Sequence, residues 1–465
     1  MNNNKKKNND FDDEERQLVL DFENTVLRGG TQFFDVDELE VIIDYYFEVN
    51  DQESLQRAVE YAEQLYPDST TIRLRRAHLL IAQQQYEPAL EMIQKLRRQE
   101  PHNTDVAYSL GVAYGAVGER EKAIELYHEA AEDGWLLGRV YANIAEEYYH
   151  LHNFDEAIRY YLLSLDTDTY DDSTLYNYLD TCIQAGRTDD AVTYLKSFVG
   201  EHPYSSEAWH CLGTAYRELG LFEQSVDAYE YAIAIDKTNV AFYADLATTQ
   251  EYMSRPGDAV TTLLRGRDFV NDRAALYRTV AYVYARADNN EMAILYFRKA
   301  IEENPEDAEA YAALALGYAV SGDQGSAIPL IKKALHLAPE SPEVLCSAGI
   351  VYDIRGNFDA ASDYFERMLA TDNCTEIQCQ HYTQFLFNHQ LYDMVVDFAL
   401  ESLDLYPGHP FYSTYLAAAA FYSNRYNRAS HALPNADPAL LHELCPEIFE
   451  HPRLSPLIPD NHPTA

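Results

Sequence analysis

The sequence is poor in the features that mark secreted, membrane and nucleic-acid-binding proteins. Basic residues are scarce, since 35 Lys and Arg stand against 76 Asp and Glu and give a net charge of −41. This excess of negative charge repels phosphate backbones and anionic lipid surfaces, so we expect no nucleic-acid or membrane partner. The six cysteines are sparse and scattered, as is typical of a reducing compartment. These absences favour a cytoplasmic protein.

Long apolar segments are also missing. No apolar run approaches the roughly 18 residues that a membrane-spanning helix needs. The first residues, MNNNKKKNN, are polar and are followed by acidic residues, so they lack the apolar region of a secretory signal. We expect residues 1–9 to form a disordered leader.

Sequence patterns of catalysis and metal binding are absent as well. The chain contains no H-E-x-x-H, G-x-S-x-G, C-x-x-C or glycine-rich phosphate-binding pattern. Cys374, Cys379 and His381 lie close together in sequence, but they supply at most three ligands where a structural zinc ion normally has four. The acidic run at 166–172 lacks the glycine and glutamate of a calcium loop and is read as a solvated turn. We predict no enzyme activity, no cofactor and no metal site.

What the sequence does contain is a repeat of 34 residues. Its clearest copy is the stretch 206–239, which has the pattern W-x2-L-G-x2-Y at Trp209, Leu212, Gly213 and Tyr216. Steps of 34 residues from Ser206 then give unit starts at 36, 70, 104, 138, 172, 206, 240, 274, 308, 342, 376 and 410. The 34-residue spacing is therefore constant through the twelve units without an insertion. A bundle of amphipathic helices that is not built from repeats would not keep such a spacing.

Four positions of the repeat keep their character. Position 20 is alanine in nine of the twelve frames, position 8 is Gly or Ala in nine, and position 24 is large and apolar or aromatic in eleven. Small residues at positions 8 and 20 let two helices approach closely, and the large residue fills the space between them. Proline occupies position 32 in six frames and is expected to stop the second helix there, at Pro67, Pro101, Pro203, Pro305, Pro339 and Pro407.

This pattern resembles the tetratricopeptide repeat (TPR) superfamily across roughly residues 36–443, and in particular cytosolic TPR arrays of the bacterial type. The resemblance implies an all-α fold, a TPR α-solenoid in which helix–turn–helix repeats wind into a right-handed superhelix. We expect an N-terminal capping helix in residues 10–35, twelve units in 36–443, and a C-terminal cap and tail in 444–465. The apolar residues expected to anchor the first cap are Leu18, Leu20, Phe22, Val26 and Leu27.

The C-terminal end carries its own helix signal. Asp437-Pro438 is typical of an N-cap followed by proline at the first helical position. The apolar stripe that follows suits a capping helix and comprises Leu440, Leu441, Leu444, Ile448 and Phe449.

Several frames depart from the pattern. Arg73 and Arg76 stand where the unit at 70 should have Trp and Leu. The unit at 240 has Gln250 in place of Tyr and Gly266 in place of Ala, and glycine there weakens a helix by about 1 kcal/mol. The unit at 376 departs most, with Cys379, Thr383, Val395 and Ala399 at four signature positions.

In TPR proteins the first helices line a concave groove that holds peptides or partner domains, so the resemblance directs attention to repeat positions 2, 5, 6, 9, 12 and 13. Position 5 carries no lysine and position 9 no asparagine, so the carboxylate clamp of chaperone-binding TPR proteins is absent. The groove positions offer aromatic rings and arginines instead, which are the residue types that anchor interfaces. The predicted partner-binding residues are Arg139, Asn143, Tyr149, Tyr176, Asn177, Arg217, Arg278, Tyr282 and Arg286.

Alternatives remain open for these residues and for the function. The aromatic rings pack between neighbouring first helices in an equally good interpretation, because the chain is rich in tyrosine throughout. Asn143 and Asn177 share position 6 and resemble the asparagine ladder by which some TPR superhelices hold a peptide backbone. We predict a non-enzymatic scaffold that binds a peptide or protein in the groove, and the alternative is a regulatory subunit of an enzyme or secretion complex. The sequence does not indicate the oligomeric state.

Overall fold

The computed structural model of the chain describes residues 13–28, 32–134, 137–167, 172–371 and 373–459. In these ranges all regular secondary structure is α- or 3₁₀-helical and no strand occurs, which confirms the all-α prediction. The expected leader at residues 1–9, the end of the tail and most of the acidic turn at 166–172 lie outside the described ranges. Across the described part of the chain, no helix is both long and apolar enough to cross a membrane.

The chain divides into two compact units, residues 1–237 and 238–465. The α-helices described in the first unit are α1 (Asp13–Arg28), α2 (Val36–Glu48), α3 (Gln52–Leu65), α4 (Thr70–Ala82), α5 (Tyr86–Gln99), α6 (Thr104–Ala116), α7 (Arg120–Ala130), α8 (Leu137–His150), α9 (Phe154–Leu165), α10 (Asp172–Gln184), α11 (Thr188–Glu201), α12 (Ser206–Glu218) and α13 (Phe222–Ile235).

The second unit continues the same alternation of helices. Its described α-helices are α14 (Val240–Tyr252), α15 (Pro256–Arg265), α16 (Arg273–Arg286), α17 (Asn290–Glu303), α18 (Ala308–Val320), α19 (Gln324–Leu337), α20 (Pro342–Ile354), α21 (Phe358–Leu369), α22 (Glu376–Asn388), α23 (Tyr392–Leu405), α24 (Pro410–Tyr422), α25 (Tyr426–Ala432) and α26 (Pro438–Leu444).

The even-numbered helices from α2 to α24 are the first helices of the repeats, and each packs against the odd-numbered helix that follows it. Each begins within one residue of a start given by the 34-residue phase, from Val36 to Pro410. The backbone keeps the same phase, because a residue with positive φ recurs at position 15 of every frame, from Asn50 (54°) to Asn424 (58°). Gly adopts this conformation at the least steric cost, yet it is used at only some of these turns, and Asn and Asp, which also tolerate it, stand at others. We propose that these pairs are the twelve units of residues 36–443.

The interior of each pair explains the conserved positions of the repeat. A Cβ atom added to Gly213 would lie 2.8 Å from the ring of Tyr229, so position 8 is small because the aromatic ring of position 24 lies on it. The same contact occurs between Gly111 and Tyr127. Alanines at position 20 are likewise buried, as at Ala89. The predicted helix stops are also confirmed, and their ends are Leu65, Gln99, Glu201, Glu303, Leu337 and Leu405, each two residues before a position-32 proline.

The two flanking helices cover the ends of the repeats. In α1 the buried residues are Val19 and Phe22, whereas Leu20 is 51% exposed, so the prediction that Leu20 anchors this helix is wrong. Val19 shares a helix face with Phe22, three residues later, whereas Leu20 lies about 200° around the helix from Phe22 and is therefore on the opposite side. The Phe22 ring lies edge-on to Phe34, with centroids 5.7 Å apart. We propose α1 as the core of the N-terminal cap at residues 10–35.

The C-terminal flanking helix has the predicted start. Oδ1 of Asp437 accepts hydrogen bonds from the backbone N–H groups of Ala439 (2.8 Å) and Leu440 (3.2 Å), which confirms Asp437 as the N-cap of α26. Leu441 is buried in the core that includes α24. We propose α26 and the residues after it, including 444–459 of the expected cap and tail, as the C-terminal cap.

Candidate functional site

The first helices of the first unit carry a polar cluster that begins on α2 and α4. The guanidinium group of Arg75 pairs with the carboxylate of Glu40 and donates from Nη2 to Oδ2 of Asp44 at 2.8 Å. Burial raises the pKa of Asp44 to about 6, and this effect outweighs the opposing attraction of Arg75 and Arg139. Arg139 lies on α8, yet its positive charge also lowers the pKa of Asp44 on α2. The two ends of the cluster therefore interact electrostatically.

His78 extends the cluster from α4 to α6. Its Nε2 lies 3.0 Å from Oγ of Ser109, within hydrogen-bonding distance. Burial, together with the positive charges of Arg75 and Arg139, lowers the pKa of His78 to about 4. The imidazole is therefore neutral at physiological pH and serves as a hydrogen-bonding group rather than as a cation.

Asn143 and Arg139 complete the cluster on α8. The side-chain amide of Asn143 donates from Nδ2 to the hydroxyl of Tyr108 on α6 at 3.1 Å. Burial raises the pKa of Tyr108, although Arg139 acts in the opposite direction. Arg139 itself is exposed and makes no ion pair with any residue that the structure describes. We call these seven residues the α2–α8 cluster, which comprises Glu40, Asp44, Arg75, His78, Tyr108, Arg139 and Asn143.

Five members of this cluster are absent from the predicted partner-binding residues, and one of them, Tyr108, stands at groove position 5 of the unit at 104. Glu40 and Asp44 stand at positions 5 and 9 of the unit at 36, and Arg75 and His78 stand at positions 6 and 9 of the unit at 70. All four belong to the groove positions 2, 5, 6, 9, 12 and 13, among which Arg139 stands at position 2 and Asn143 at position 6. The signal was therefore present, but in two frames whose signature residues depart from the repeat.

The remaining predicted residues of the first unit lie farther along its first helices. The hydroxyl of Tyr149 donates to Oδ2 of Asp180 at 2.9 Å, which links α8 to α10. The ring of Tyr176 packs against the imidazole of His210, with centroids 5.7 Å apart. Asn177 is exposed on the same helix as Tyr176. Both rings thus make contacts between successive repeats, as the packing interpretation expected.

Arginines at the predicted groove positions mostly have acidic partners within the chain. Arg217 lies 3.6 Å from Glu218 in the first unit. In the second unit, Nη1 of Arg278 donates to both carboxylate oxygens of Asp307, at 2.7 and 2.6 Å. Asp307 is also the N-cap of α18 and is 6% exposed, so this ion pair has a structural role.

The other two predicted residues of the second unit are engaged in a similar way. Arg286 binds Glu251 through its Nε and Nη2 atoms at distances of 2.8–3.0 Å. The Tyr282 ring lies edge-on to Phe297, with centroids 5.2 Å apart, and remains 40% exposed. Arg278 and Arg286 therefore have their positive charges paired within the chain, whereas Arg139 has no ion pair among the described residues.

A second surface feature of the first unit lies among its second helices. An open cleft of about 420 Å³ separates α3 from α5, and its lining includes Tyr66, Arg73, Met92 and Lys95. Apart from Arg73 of α4, which is not at a groove position, its lining lies on α3, α5 and the loop after α3. The cleft is therefore a distinct alternative location for a ligand and provides a comparison for experiments on the α2–α8 cluster.

The cysteine and histidine residues considered for metal binding are partly brought together. Sγ of Cys374 lies 3.5 Å from Sγ of Cys379, and both residues are half-buried. In the parts of the chain that the structure describes, no group of three or more His, Cys, Asp or Glu side chains is arranged to hold a metal ion.

Comparison with known families matches the repeats at four places. Models described as "Tetratricopeptide repeat" match residues 50–113, 138–169, 206–239 and 279–342. The curated "TPR repeat-containing protein YpiA" of Bacillus subtilis is 22% identical over 252 residues, covering 46% of this chain and 59% of that protein. The chain thus spans less than two thirds of this relative.

Solved structures also align with the chain. One is MamA, with 27% identity and a TM-score of 0.28, covering 34% of this chain and 92% of that one. Another is the yeast Tom70, with 13% identity and a TM-score of 0.45, covering 83% of this chain and 97% of that one.

Proposed function

Because the chain belongs to the TPR superfamily, whose repeats generally mediate protein–protein interaction, we propose that it is a non-enzymatic scaffold that binds a peptide or protein partner on its first helices. In the first unit the proposed surface is the α2–α8 cluster, continued by Tyr149, Tyr176, Asn177 and Arg217. In the second unit a separate surface includes Arg278, Tyr282 and Arg286. We propose no nucleic-acid or membrane partner, because the net charge is −41.

The observation that carries the proposal is the state of Arg139. It is an exposed guanidinium group without an ion pair among the described residues, in a chain that has 76 acidic side chains available. A guanidinium group forms strong, paired hydrogen bonds to a carboxylate, so Arg139 suits an acidic side chain or a terminal carboxylate of a partner.

The surroundings of Arg139 support a binding role because they are already ordered. Asn143 and Tyr108 hold each other by a hydrogen bond, and Arg75 holds Asp44. Side chains fixed by their neighbours lose little conformational entropy when a partner binds, so more of the contact energy appears as affinity. The cluster thus combines one guanidinium group without an ion pair, that of Arg139, with neighbouring polar side chains that are already held in place.

We also propose a cytoplasmic location. The six cysteines are all unpaired, including the two that lie 3.5 Å apart. Unpaired cysteines in this number suit a reducing compartment.

The proposal is tested with random peptides displayed against the purified full-length chain. We expect selected peptides to carry an acidic side chain or a free carboxyl terminus, and their affinity to fall by about 1–3 kcal/mol in the Arg139→Ala variant. The matched control is Arg98→Ala, which removes an exposed arginine from α5, a second helix of the same unit. Arg278 is unsuitable for this comparison, because its removal would leave the buried Asp307 unpaired.

The location is then checked by photo-crosslinking from an amino acid placed at Asn177 or, for comparison, at Met92 in the α3–α5 cleft. Crosslinks from position 177 alone support the first-helix surface. Peptides that lose affinity in Arg98→Ala but not in Arg139→Ala, or that crosslink from position 92 alone, would exclude it. A stoichiometric enzyme captured from position 177 in cells would favour the regulatory-subunit alternative.

A further inference from the structure

Two cysteines lie at the entry to α22, in the repeat that departs most from the TPR pattern. Cys374 precedes the helix and Cys379 lies in its first turns, and their Sγ atoms are 3.5 Å apart. Both thiols are half-buried, whereas the other four cysteines of the chain are buried. The pair is therefore the most accessible thiol group of the protein, and the scaffold function does not use it.

The local structure explains why these two residues meet. Thr375 is the N-cap of α22, and its backbone N–H donates to Oε1 of Gln378 at 2.9 Å, so the chain enters the helix at a fixed angle. Cys374 then occupies the position before the N-cap and Cys379 the fourth helical position. In many helices an apolar pair at these two positions packs together as a hydrophobic staple. Here the staple consists of two thiols.

This arrangement brings the thiols to a separation that a small side-chain rotation converts into a bond. A disulfide needs an S–S distance of about 2.05 Å, so the two sulfur atoms, which are 3.5 Å apart, must move about 1.5 Å closer. We propose that Cys374 and Cys379 are a redox modification site, at which a hydroperoxide forms a reversible disulfide that staples the start of α22.

The two thiols have different roles in this reaction. Burial, together with the hydrogen bond to Cys379, raises the pKa of Cys374 to about 12, which disfavours Cys374 as the group that attacks the peroxide first. Cys379 is therefore the attacking group and Cys374 the resolving group.

The reaction balances with the peroxide as the oxidant. The thiolate of Cys379 attacks one peroxide oxygen, which breaks the O–O bond, gives a sulfenic acid and releases an alcohol after protonation. Cys374 then attacks the sulfenic sulfur, which forms the S–S bond and releases the hydroxyl group with the Cys374 proton as water. In total, two thiols and one hydroperoxide give one disulfide, one alcohol and one water, and a dithiol reductant reverses the change.

A third cysteine provides an internal comparison. Cys346 on α20 lies near enough to contribute to the electrostatic environment of Cys374, but it is 5% exposed. Because its side chain is almost fully buried, whereas the staple pair is half-buried, a peroxide in solvent does not reach Cys346. The geometry therefore assigns the disulfide to the staple pair and not to Cys346.

The test treats the reduced full-length chain with hydrogen peroxide and follows it by thiol counting and peptide mass spectrometry. We expect the folded protein to lose two of its six thiols and the peptide holding both cysteines to lose two hydrogens, with recovery in dithiothreitol. In Cys374→Ser, a sulfenic acid at Cys379 should accumulate and react with dimedone. In Cys379→Ser, the loss of thiols should slow at least about tenfold, whereas Cys346→Ser should behave like the wild type.

Circular dichroism of each variant shows whether the fold survives the substitution, and the wild-type peptide mass is decisive in either case. Oxidation of the wild type to a sulfinic acid without a disulfide would overturn the proposal. So would a disulfide that includes Cys346, or equal rates in Cys379→Ser and the wild type.

Discussion

At the scale of single residues, one departure from the repeat pattern keeps the hydrogen bond that the usual tryptophan makes. Nε1 of Trp209 donates to the carbonyl of Pro203 at 3.0 Å, which ties a first helix to the end of the preceding repeat. Arg73 stands at the same repeat position, and its Nε donates to the carbonyl of Pro67 at 2.9 Å. Arg73 therefore replaces the signature tryptophan without losing the hydrogen bond, which explains why the unit at 70 folds like the others.

A second residue-scale feature is the contact between position 8 and position 24, which we expect to limit substitution of Gly213. A Cβ atom at Gly213 would approach the Tyr229 ring to 2.8 Å, so Gly213→Ala must displace a fully buried side chain. We predict a loss of about 1–3 kcal/mol in the stability of α12 and α13. Hydrogen exchange resolved by peptide across these two helices measures the change.

The matched control for this prediction is Gly200→Ala. Gly200 is an exposed helical glycine of the same unit, and an added Cβ would meet no atom within 4 Å. Its replacement should stabilise α11 by about 0.5–1 kcal/mol, because alanine loses less entropy in a helix. Equal protection of α12 in Gly213→Ala and the wild type would show that the ring yields without cost.

The α2–α8 cluster also contains two groups whose protonation should affect stability in opposite directions. Asp44 has a folded-state pKa raised to about 6, so its contribution to stability is lost as the pH rises from about 4 to 6. His78 has a folded-state pKa lowered to about 4, so its contribution is lost as the pH falls from about 6.5 to 4. The two effects offset each other in the wild type.

Single variants separate these contributions. Relative to the wild type, the melting temperature of Asp44→Asn should rise as the pH increases from 5 to 7, whereas that of His78→Gln should rise as the pH decreases over the same range. Both are measured by circular dichroism at matched ionic strength. Parallel profiles for the wild type and both variants would show that neither group titrates abnormally.

At the scale of helices, α15 is unusual because it ends early. It has 10 residues, against 14 in α17, and it is followed by a short 3₁₀ helix, Arg267–Phe269. Gly266 is the C-cap of α15, and a Cβ atom there would come within 3.1 Å of the Tyr243 ring. The glycine that weakens the helix is thus the residue that makes room for this ring.

We therefore expect α15 to open more readily than α17, its counterpart in the next repeat. A shorter helix has fewer internal hydrogen bonds and a smaller buried face, so local opening costs less free energy. Hydrogen exchange should show faster deuterium uptake across residues 256–265 than across 290–303 in the same sample. Slower or equal uptake in α15 would exclude a preferred opening point at this repeat.

The sequence predicted the helices well because their signals are local and recur. Caps, proline stops and small residues at positions 8 and 20 each act within one repeat, and α24 accordingly begins at Pro410 as the phase requires. The face of α1 was harder to predict, because Val19, Leu20 and Phe22 are all apolar and a single helix outside the repeat has no phase to decide between them. The structure resolves this ambiguity in favour of Val19 and Phe22.

At the scale of the whole chain, the electrostatic state of the candidate site could not be predicted from the sequence. Arg286 pairs with Glu251, which lies 35 residues earlier, and Arg75 pairs with Asp44, which lies 31 residues earlier. Such partners belong to neighbouring repeats. The sequence therefore identifies an arginine at a groove position, but it does not show whether an acidic residue of the same chain already forms an ion pair with it. With many acidic residues per repeat, most arginines find a partner, and Arg139 is distinguished only by the structure.

The same excess of acidic residues leads to a prediction for the whole molecule. A net charge of −41 produces repulsion within the folded chain, and most of the acidic groups are exposed, so dissolved salt should screen them. We expect the melting temperature to rise by about 1–2 °C between 10 and 150 mM NaCl at pH 7.5, because screening of order 1–2 kcal/mol shifts the melting temperature of a chain of 465 residues by about 1 °C per kcal/mol. Surface ion pairs such as Arg187 with Asp155 weaken under the same conditions, but pairs of this kind contribute little to stability. A screening effect should level off once the Debye length falls below the spacing of the charges, and it should be similar for chloride and perchlorate at equal low concentration. A melting temperature that falls with salt, or that rises only with strongly excluded anions such as sulfate, would show that ion pairs or hydration dominate over the repulsion.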